Sequence, residues 1–196
     1  FTYEDVAVIK GPSGLAFGTG SVGGAVAGGS RLPHLGNSYG GTATGGMGPF
    51  ARGTIDVNQQ IGETTALRLN IMGQSSRTVD RDTTNGTRWG IAPSIAFGLG
   101  TNTTFTVEYV HYEYDLPTDA GVPLLTPTGQ TIARPATEYG LPRSTWYGTV
   151  NDRDQVQVDR LTARLNHQAN DWLTLSNDTR ATWVDRDFAF AIPSCA

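Results

Sequence analysis

A two-residue alternation of apolar and polar side chains runs through the chain from about residue 51. It is clearest where Leu67, Leu69 and Ile71 alternate with Arg68 and Asn70. The same alternation occurs in segments 54–58, 160–166 and 173–176. Successive side chains of a β-strand point to opposite faces, so each segment has one apolar and one polar face. The alternation therefore predicts an all-β fold.

The composition also favours strands over helices. The chain has 196 residues, of which 25 are glycine, and only 16% are charged. Glycine weakens helix interiors, and the helix formers Lys and Glu are scarce, so the composition argues against a helical bundle. The net charge of −4 leaves no broad cationic surface, which argues against a nucleic-acid partner.

The lengths of the links between strands show a second regularity. Short links at 61–64, 99–102 and 169–171 alternate with longer polar links at 77–87 and 116–155. One end of the sheet is thus expected to carry tight turns and the other end large loops. Such an asymmetry, with strands of about ten residues, is typical of an outer-membrane β-barrel.

Two sets of side chains favour the barrel over a soluble sheet. Charged residues stand in mid-strand, as a hydrated lumen allows: Asp56, Arg68, Glu108 and Arg164. Aromatic residues cluster near strand ends, where membrane girdles would lie: Trp89, Tyr109, Tyr112, Tyr114, Trp172 and Trp183. The alternative is a soluble antiparallel sandwich, in which the apolar faces share a core. The chain would then be a soluble or surface all-β module that binds a ligand or acts as an adhesin.

The sequence motifs predict no catalytic residue and no metal site. Gly18, Gly20 and Gly23 match the spacing of a dinucleotide fingerprint, but no good helix follows and no acidic residue occurs before Asp56. Three potential metal ligands share one strand face: His111, Glu113 and Asp115. Neighbours on such a face lie roughly 6.5–7 Å apart, which suits an ordinary polar face better than a single ion.

The long link at 116–155 is the candidate ligand-binding segment. It contains five prolines, together with arginines and aromatic side chains that suit a flat, anionic or aromatic ligand. The candidate binding residues are Arg134, Tyr139, Arg143, Trp146 and Tyr147. A loop that only shields the surface is the alternative.

The N-terminal segment contains Val8-Ile-Lys-Gly-Pro12 and then Phe17-Gly-Thr-Gly-Ser-Val-Gly-Gly24. With these motifs, residues 5–24 resemble the late plug-domain signature of TonB-dependent outer-membrane receptors. The family form is a strand ending in Val-Leu-Lys-Gly-Pro, followed by Tyr/Phe-Gly-x-Gly-x-x-Gly-Gly. Segments 52–62 and 66–70 are similar to the first barrel strands of siderophore receptors. Segments 88–100 and 115–123 resemble the catecholate-type branch.

The resemblance implies a 22-stranded barrel closed by an N-terminal plug, which imports ferric siderophores across the bacterial outer membrane with energy from the TonB complex. Residues 1–31 would be the end of the plug, and residues 32–196 would be about the first seven barrel strands. The implied partners are a ferric siderophore as transported ligand, outer-membrane lipid, and TonB through a segment outside this chain. No intrinsic cofactor and no enzymatic activity are expected. At 25–31 the chain departs from the usual Ile-Asn-x-Val-Thr-Lys ending of the plug.

The resemblance also assigns roles to two groups of residues. The plug turn would be formed by Lys10, Gly11, Pro12, Gly18, Gly20, Gly23 and Gly24. Polar contacts between plug and barrel would be made by Arg31, Arg52, Asp56, Arg68 and Arg164.

Both ends of the chain look cut, and we expect a fragment. The only cysteine, Cys195, is either a free thiol or half of a disulfide with a partner outside the chain.

Overall fold

The computed structural model describes residues 1–11, 23–81 and 83–191, and these residues form β-strands connected by turns and loops. The strands are β1 (Tyr3–Lys10), β2 (Gly24–Ser30), β3 (Ser38–Gly46), β4 (Phe50–Gln60), β5 (Ala66–Arg77), β6 (Asn85–Phe97), β7 (Thr103–Leu116), β8 (Leu124–Leu125), β9 (Arg134–Pro135), β10 (Arg153–Asn170) and β11 (Leu173–Ala189). A single turn of 3-10 helix, Ala136–Tyr139, follows β9. No helix within these described ranges is long and apolar enough to cross a membrane. The predicted all-β fold is confirmed.

The strands form one large sheet and two small ones. The large sheet has seven strands in the order β11-β10-β7-β6-β5-β4-β3, all antiparallel to their neighbours. Strands β1 and β2 form a separate antiparallel pair, here called the N-terminal hairpin. Strands β8 and β9 pair inside the link between β7 and β10. The sheet is therefore an up-and-down meander of about the predicted number of strands.

Two parts of the large sheet differ from the sequence-based expectation. Strand β3 consists of glycine, threonine, alanine, serine and tyrosine, so it shows no apolar alternation. It becomes a strand because β4 supplies a complete ladder, from Ser38 opposite Asn58 to Gly46 opposite Phe50. Strands β10 and β11 are longer than their alternating segments because each continues to pair with its neighbour beyond those segments.

The two ends of the large sheet carry links of different length, as predicted. At one end lie the tight turns 61–65, 98–102 and 171–172. At the other end lie the longer links 78–84 and 117–152, together with a three-residue link at 47–49.

In strands β4–β7 and β10, polar residues of one face are buried, and large apolar residues of the opposite face are exposed. The inner face is defined here as the one that meets the N-terminal hairpin. Its buried polar residues are Asn58, Arg68, Asn70, Ser94, Thr106, Glu108 and Thr162. Exposed residues of the opposite, outer face include Ile55, Leu67, Phe97, Phe105, Tyr109, Leu161 and Leu165. A soluble sandwich would bury the apolar face instead, so this arrangement fits the wall of a membrane barrel.

The aromatic residues divide between the two faces. Trp89, Tyr109 and Trp183 are exposed on the outer face. Trp172 is exposed in the turn 171–172, at the end of the sheet that carries the tight turns. The prediction that Tyr112 and Tyr114 belong to a membrane girdle is wrong. They stand an odd number of residues from Tyr109, and strand alternation therefore turns them to the inner face.

The N-terminal hairpin is closed by glycines with positive φ. Gly11 has φ +88° and donates its amide to the Gly23 carbonyl at 3.3 Å. Gly24 has φ +134°, and a Cβ there would collide with the Ile9 carbonyl oxygen. Lys10 is exposed next to this turn. The predicted turn residues Pro12, Gly18 and Gly20, and also Cys195, lie outside the described residues.

Candidate functional site

The carboxylate of Asp56 on β4 joins the N-terminal hairpin to the large sheet. Arg31 follows β2 and donates from Nη1 to Asp56 Oδ2 at 3.0 Å. Arg68 on β5 binds the same carboxylate with two donors, Nε to Oδ1 at 2.8 Å and Nη2 to Oδ2 at 2.7 Å. Asn70 lies opposite Asp56 in the ladder. One carboxylate is thus shared by an arginine beside the hairpin and an arginine of the sheet.

Arg164 on β10 makes a second contact between the two sheets. Its Nη2 donates to the hydroxyl of Ser30 at 3.1 Å. It also lies 3.9 Å from the carboxylate of the buried Glu108 and 3.7 Å from that of Asp178. Arg164 therefore has one partner on the hairpin and two acidic neighbours on the sheet.

Arg52 faces the same space but is bonded within the large sheet. Its Nη1 donates to Gln74 Oε1 at 3.1 Å. With Arg31 and Asp56 it lines a cavity of about 430 Å³ between the hairpin and the sheet. The structure thus brings four of the five predicted contact residues to the junction with residues 30–32, and it places Arg52 beside that junction.

A row of arginine and tyrosine crosses the inner face near the longer links. The ladder aligns Arg52 with Gln74, Gln74 with Arg88, and Arg88 with Tyr114. The guanidinium carbon of Arg88 lies 5.9 Å from the centre of the Tyr114 ring. Here the row means Arg52, Arg88, Tyr114 and, two strands further along, Arg186. It presents positive charge and an aromatic ring to the same space.

Asp154 binds two members of this row, Arg186 and Tyr114. Arg186 binds Asp154 with two donors, Nε at 2.7 Å and Nη2 at 3.1 Å. The hydroxyl of Tyr114 donates to the same carboxylate at 3.4 Å. Sequence reasoning missed Arg88, Tyr114 and Arg186 as a group because only the strand register places them side by side.

The candidate binding residues of the long loop fall into two groups. In the β8–β9 region, Arg134 pairs with Glu138 at 2.9 Å and the Tyr139 hydroxyl donates to Gln130 at 3.0 Å. The hydrogen bond that Arg134 donates to Glu138 raises the pKa of Arg134, so this guanidinium stays charged. No hydrogen bond or ion pair within the described chain joins Arg134 or Tyr139 to the other three candidates.

The other three candidates belong to the second half of the loop, which contacts the start of the same loop and the 78–84 link. Trp146 donates from Nε1 to the Thr118 carbonyl at 2.9 Å. The Arg143 carbonyl accepts a hydrogen bond from Arg81 of the 78–84 link. The Tyr147 hydroxyl is buried, with no hydrogen-bond partner in the part of the chain that the structure describes.

Two carboxylates connect the long loop to its surroundings. Asp119 accepts a hydrogen bond from Arg81 Nε at 2.9 Å. Asp152, at the end of the loop, accepts from the Thr149 hydroxyl at 2.7 Å and from the Ala191 amide at 3.2 Å. The hydrogen bond from Thr149 is the main reason why the pKa of the Asp152 carboxyl is lowered.

Each of the three potential metal ligands on β7 has a partner outside the group, although His111 Nε2 also lies 4.0 Å from the Glu113 carboxylate. His111 Nδ1 lies 2.8 Å from Asp159. Glu113 accepts from Trp89 Nε1 at 3.0 Å, and Asp115 accepts from Gln155 at 3.0 Å. Within the described ranges, no group of three or more His, Cys, Asp or Glu could hold a metal ion.

The chain is similar over nearly its whole length to curated siderophore receptors. The catecholate siderophore receptor Fiu of Escherichia coli K12 is 37% identical over 193 residues, which are 96% of this chain and 25% of the relative. The probable TonB-dependent siderophore receptor PiuA of Acinetobacter baumannii is 32% identical over 199 residues, 98% of this chain and 26% of the relative. No family model matches the chain.

Solved structures agree with these relatives. The crystal structure of the ferric-catecholate import receptor Fiu from E. coli K12 in its open form aligns with a TM-score of 0.86 at 36% identity, covering 97% of this chain and 30% of that one. The siderophore receptor PiuA from A. baumannii aligns with a TM-score of 0.84 at 29% identity, covering 97% and 27%.

The chain spans about a quarter of the length of the curated relatives it matches. Over that quarter the predicted resemblance is confirmed, and the comparisons support the predicted outer-membrane location. The chain is a homologue of the matching part of TonB-dependent catecholate siderophore receptors.

Proposed function

We propose that the whole protein containing this chain is an outer-membrane receptor that imports ferric siderophores, of the catecholate type, with energy from the TonB complex. The observation that carries the proposal is the exposed apolar outer face and buried polar inner face of a sheet homologous to such receptors. Lipid would cover the outer face. TonB would act through a segment outside this chain.

The proposal divides the chain into the end of a plug, 1–31, and the first barrel strands, 32–196. The separate N-terminal hairpin and the seven-stranded sheet support this division. The hairpin meets the sheet through ion pairs and hydrogen bonds of Arg31 and Ser30. Partly hydrated contacts of this kind contribute little each, so a plug joined by them can move during import.

The inner-face row and the long loop are proposed to meet the ligand. A ferric catecholate is anionic and aromatic, and arginines with a tyrosine ring match both properties. The row would contact ligand within the lumen. Arg134, Tyr139, Arg143, Trp146 and Tyr147 would contact it at the loop. The ferric siderophore is cargo, and the proposal includes no resident cofactor.

The test is transport by the product of the complete gene. It is expressed in a bacterial strain without other catecholate receptors, and uptake of ⁵⁵Fe-labelled catecholate siderophore is measured with and without TonB. We expect saturable uptake that requires TonB. Expression as a detergent-free soluble monomer, or the absence of ferric-catecholate binding, would contradict the proposal.

Substitutions separate the row from other charged positions. Arg88→Gln and Arg186→Gln each remove a positive charge from the inner face, so we expect weaker ferric-catecholate binding. Arg153→Gln is the matched control, because Arg153 is also ion-paired, to Asp187, but stands on the outer face. Equal effects of the three substitutions would exclude the row as a binding surface. Unchanged affinity after alanine substitution of the five loop residues would exclude the loop.

A further inference from the structure

The connector between the N-terminal hairpin and the large sheet is bonded to the sheet by side chains of β4 and β5. The connector is defined here as residues 32–37, between β2 and β3. Its backbone has no strand partner across this segment. Side chains of the large sheet supply the hydrogen bonds instead, and Asn58 makes more of them than any other side chain described here.

Asn58 uses its whole amide group on the connector. Its Oδ1 accepts from the His34 amide at 3.1 Å, and its Nδ2 donates to the His34 carbonyl at 2.9 Å. The same Nδ2 donates to the Gly36 carbonyl at 2.7 Å. The side chain is 0% exposed. It therefore binds both polar groups of one residue as a neighbouring strand would, out of contact with water.

Neighbouring side chains extend this arrangement to both ends of the connector. Arg68 Nη1 donates to the Leu32 carbonyl at 2.8 Å. The side-chain Oε1 of Gln60 accepts from the Gly36 backbone amide at 2.6 Å, and the backbone amide of Gln60 donates to Asn37 Oδ1 at 2.9 Å. The connector is thus bonded to the sheet at its start, middle and end.

The contact that Arg31, directly after the N-terminal hairpin, makes with the sheet is more exposed than the contacts of Asn58. The bonds between this end of the hairpin and the large sheet include those of Arg31 with Asp56 and of Ser30 with Arg164. The Arg31 side chain is 36% exposed, so water can replace its partner. Breaking the Asn58 contacts would instead leave a buried amide unsatisfied, which is the costlier change.

We propose that Asn58 and Arg68 form a fixed anchor for the connector, so that the connector stays on the large sheet when the N-terminal hairpin moves away. Arg68 suits this role because it binds both Leu32 and Asp56. When Arg31 leaves, Asp56 keeps a guanidinium partner, and no buried carboxylate is left unpaired. Movement then begins at Arg31. The importance of that movement for transport rests on the proposed function, but the anchor itself does not.

Native-state hydrogen exchange tests the order of opening. The complete receptor in detergent micelles is exchanged in increasing, sub-denaturing urea. The anchor predicts that the amides of β1 and β2 lose protection at lower urea than the His34 amide. The reverse order, or simultaneous loss, would overturn the proposal. Because the hydrogen-exchange experiment needs no substrate, it tests the anchor even in a receptor that fails to import siderophore.

Substitutions then test Asn58 as a positioning residue. Asn58→Ala removes all its bonds to the connector, and the His34 amide should exchange roughly ten- to a hundred-fold faster. Asn70→Ala is the matched control, because Asn70 is also a buried asparagine of the inner face but has no bond to the connector in the described structure. Equal effects of the two substitutions would overturn the proposal.

A milder substitution covers the case in which Asn58→Ala does not fold. Asn58→Asp preserves shape and the acceptor for His34 but removes both donated bonds and sets a carboxylate against two carbonyls. We expect the connector to lose protection while the β5–β6 ladder keeps it. In transport, the maximal rate should fall with an unchanged KM, because the anchor does not touch the ligand. An unchanged connector in this variant would count against the anchor.

Discussion

Replacing Arg68 by methionine removes the buried partner of Asp56. Arg68→Met retains an unbranched apolar stem but loses two charge-assisted bonds to Asp56 and one bond to the Leu32 carbonyl. Arg68 is 8% exposed and Asp56 is 20% exposed, so the pair is largely withdrawn from water. The substitution therefore tests how much this shared carboxylate stabilises the junction.

The structure sets the size of the expected effect. Breaking a fully buried pair costs about 3–5 kcal/mol, because one charge is left without a partner. Here Arg31 remains on Asp56 and part of the carboxylate reaches water, both of which reduce the cost. The lost bond to Leu32 adds to it. We expect the free energy of unfolding to fall by about 2–4 kcal/mol.

The measurement is urea unfolding of the complete receptor in micelles, followed by tryptophan fluorescence. Arg153→Met is the matched control, because Arg153 pairs with Asp187 at 2.6 Å but the two side chains are 42% and 54% exposed. An exposed pair contributes about 0–1 kcal/mol. If Arg68→Met destabilises the receptor no more than Arg153→Met does, the reasoning about the Asp56 junction is wrong.

Three further predictions concern the outer face, the loop and the hairpin. Leu165→Arg should make the free energy of folding into vesicles less favourable by about 2–4 kcal/mol, because it places a charge against lipid, whereas Asn166→Arg on the inner face should not. Equal effects of the two substitutions would contradict the assignment of faces. The pKa of the Asp152 carboxyl is lowered in the folded state, so its stabilisation is present above about pH 4 and is lost as the pH falls further. Exchange of the Ala191 amide should accelerate over that acid range, and Asp152→Asn should remove the pH dependence. Gly24→Ala should destabilise the hairpin by about 1–3 kcal/mol, because residue 24 has a positive φ. Gly23→Ala should not, because a Cβ at residue 23 would have open space around it. Hydrogen exchange of the β1 and β2 amides compares the two variants.

The faces of the sheet could be read from the sequence, because strand alternation is a local property. Leu67 and Arg68 differ in polarity and stand next to each other, so their opposite orientations follow from the chain alone. Which face is buried is a property of the whole assembly. The sequence favoured a barrel with Arg68 inside and left the sandwich open, and the structure shows Arg68 buried and Leu67 exposed.

Strand β3 and the row of the inner face could not be read in this way. A strand of glycine and threonine has no apolar alternation, and β3 exists because β4 pairs with it. Arg88 and Tyr114 are neighbours only through the register of β6 with β7. The sequence shows neither pairing nor register. The same limit explains the mistaken girdle assignment of Tyr112 and Tyr114, which considered their position along the strand but not their face.

The connector shows a further limit. Asn58 stands in an alternating segment and reads as an ordinary polar residue of a strand. Its bonds go to His34 and Gly36, which are more than twenty residues away in a segment without periodicity. Amide side chains that replace a missing strand partner leave no local pattern in the sequence, so they are recognised only in the folded structure.

Lipid accessibility along β10 tests the central claim most directly. Single cysteines at positions 161–166 of the complete receptor are labelled with a fluorophore, and the receptor is folded into vesicles that contain brominated lipid. We expect quenching at 161, 163 and 165 and none at 162, 164 and 166. Quenching at the even positions, or equal quenching at all six, would contradict a sheet whose apolar face meets lipid and whose polar face lines the lumen.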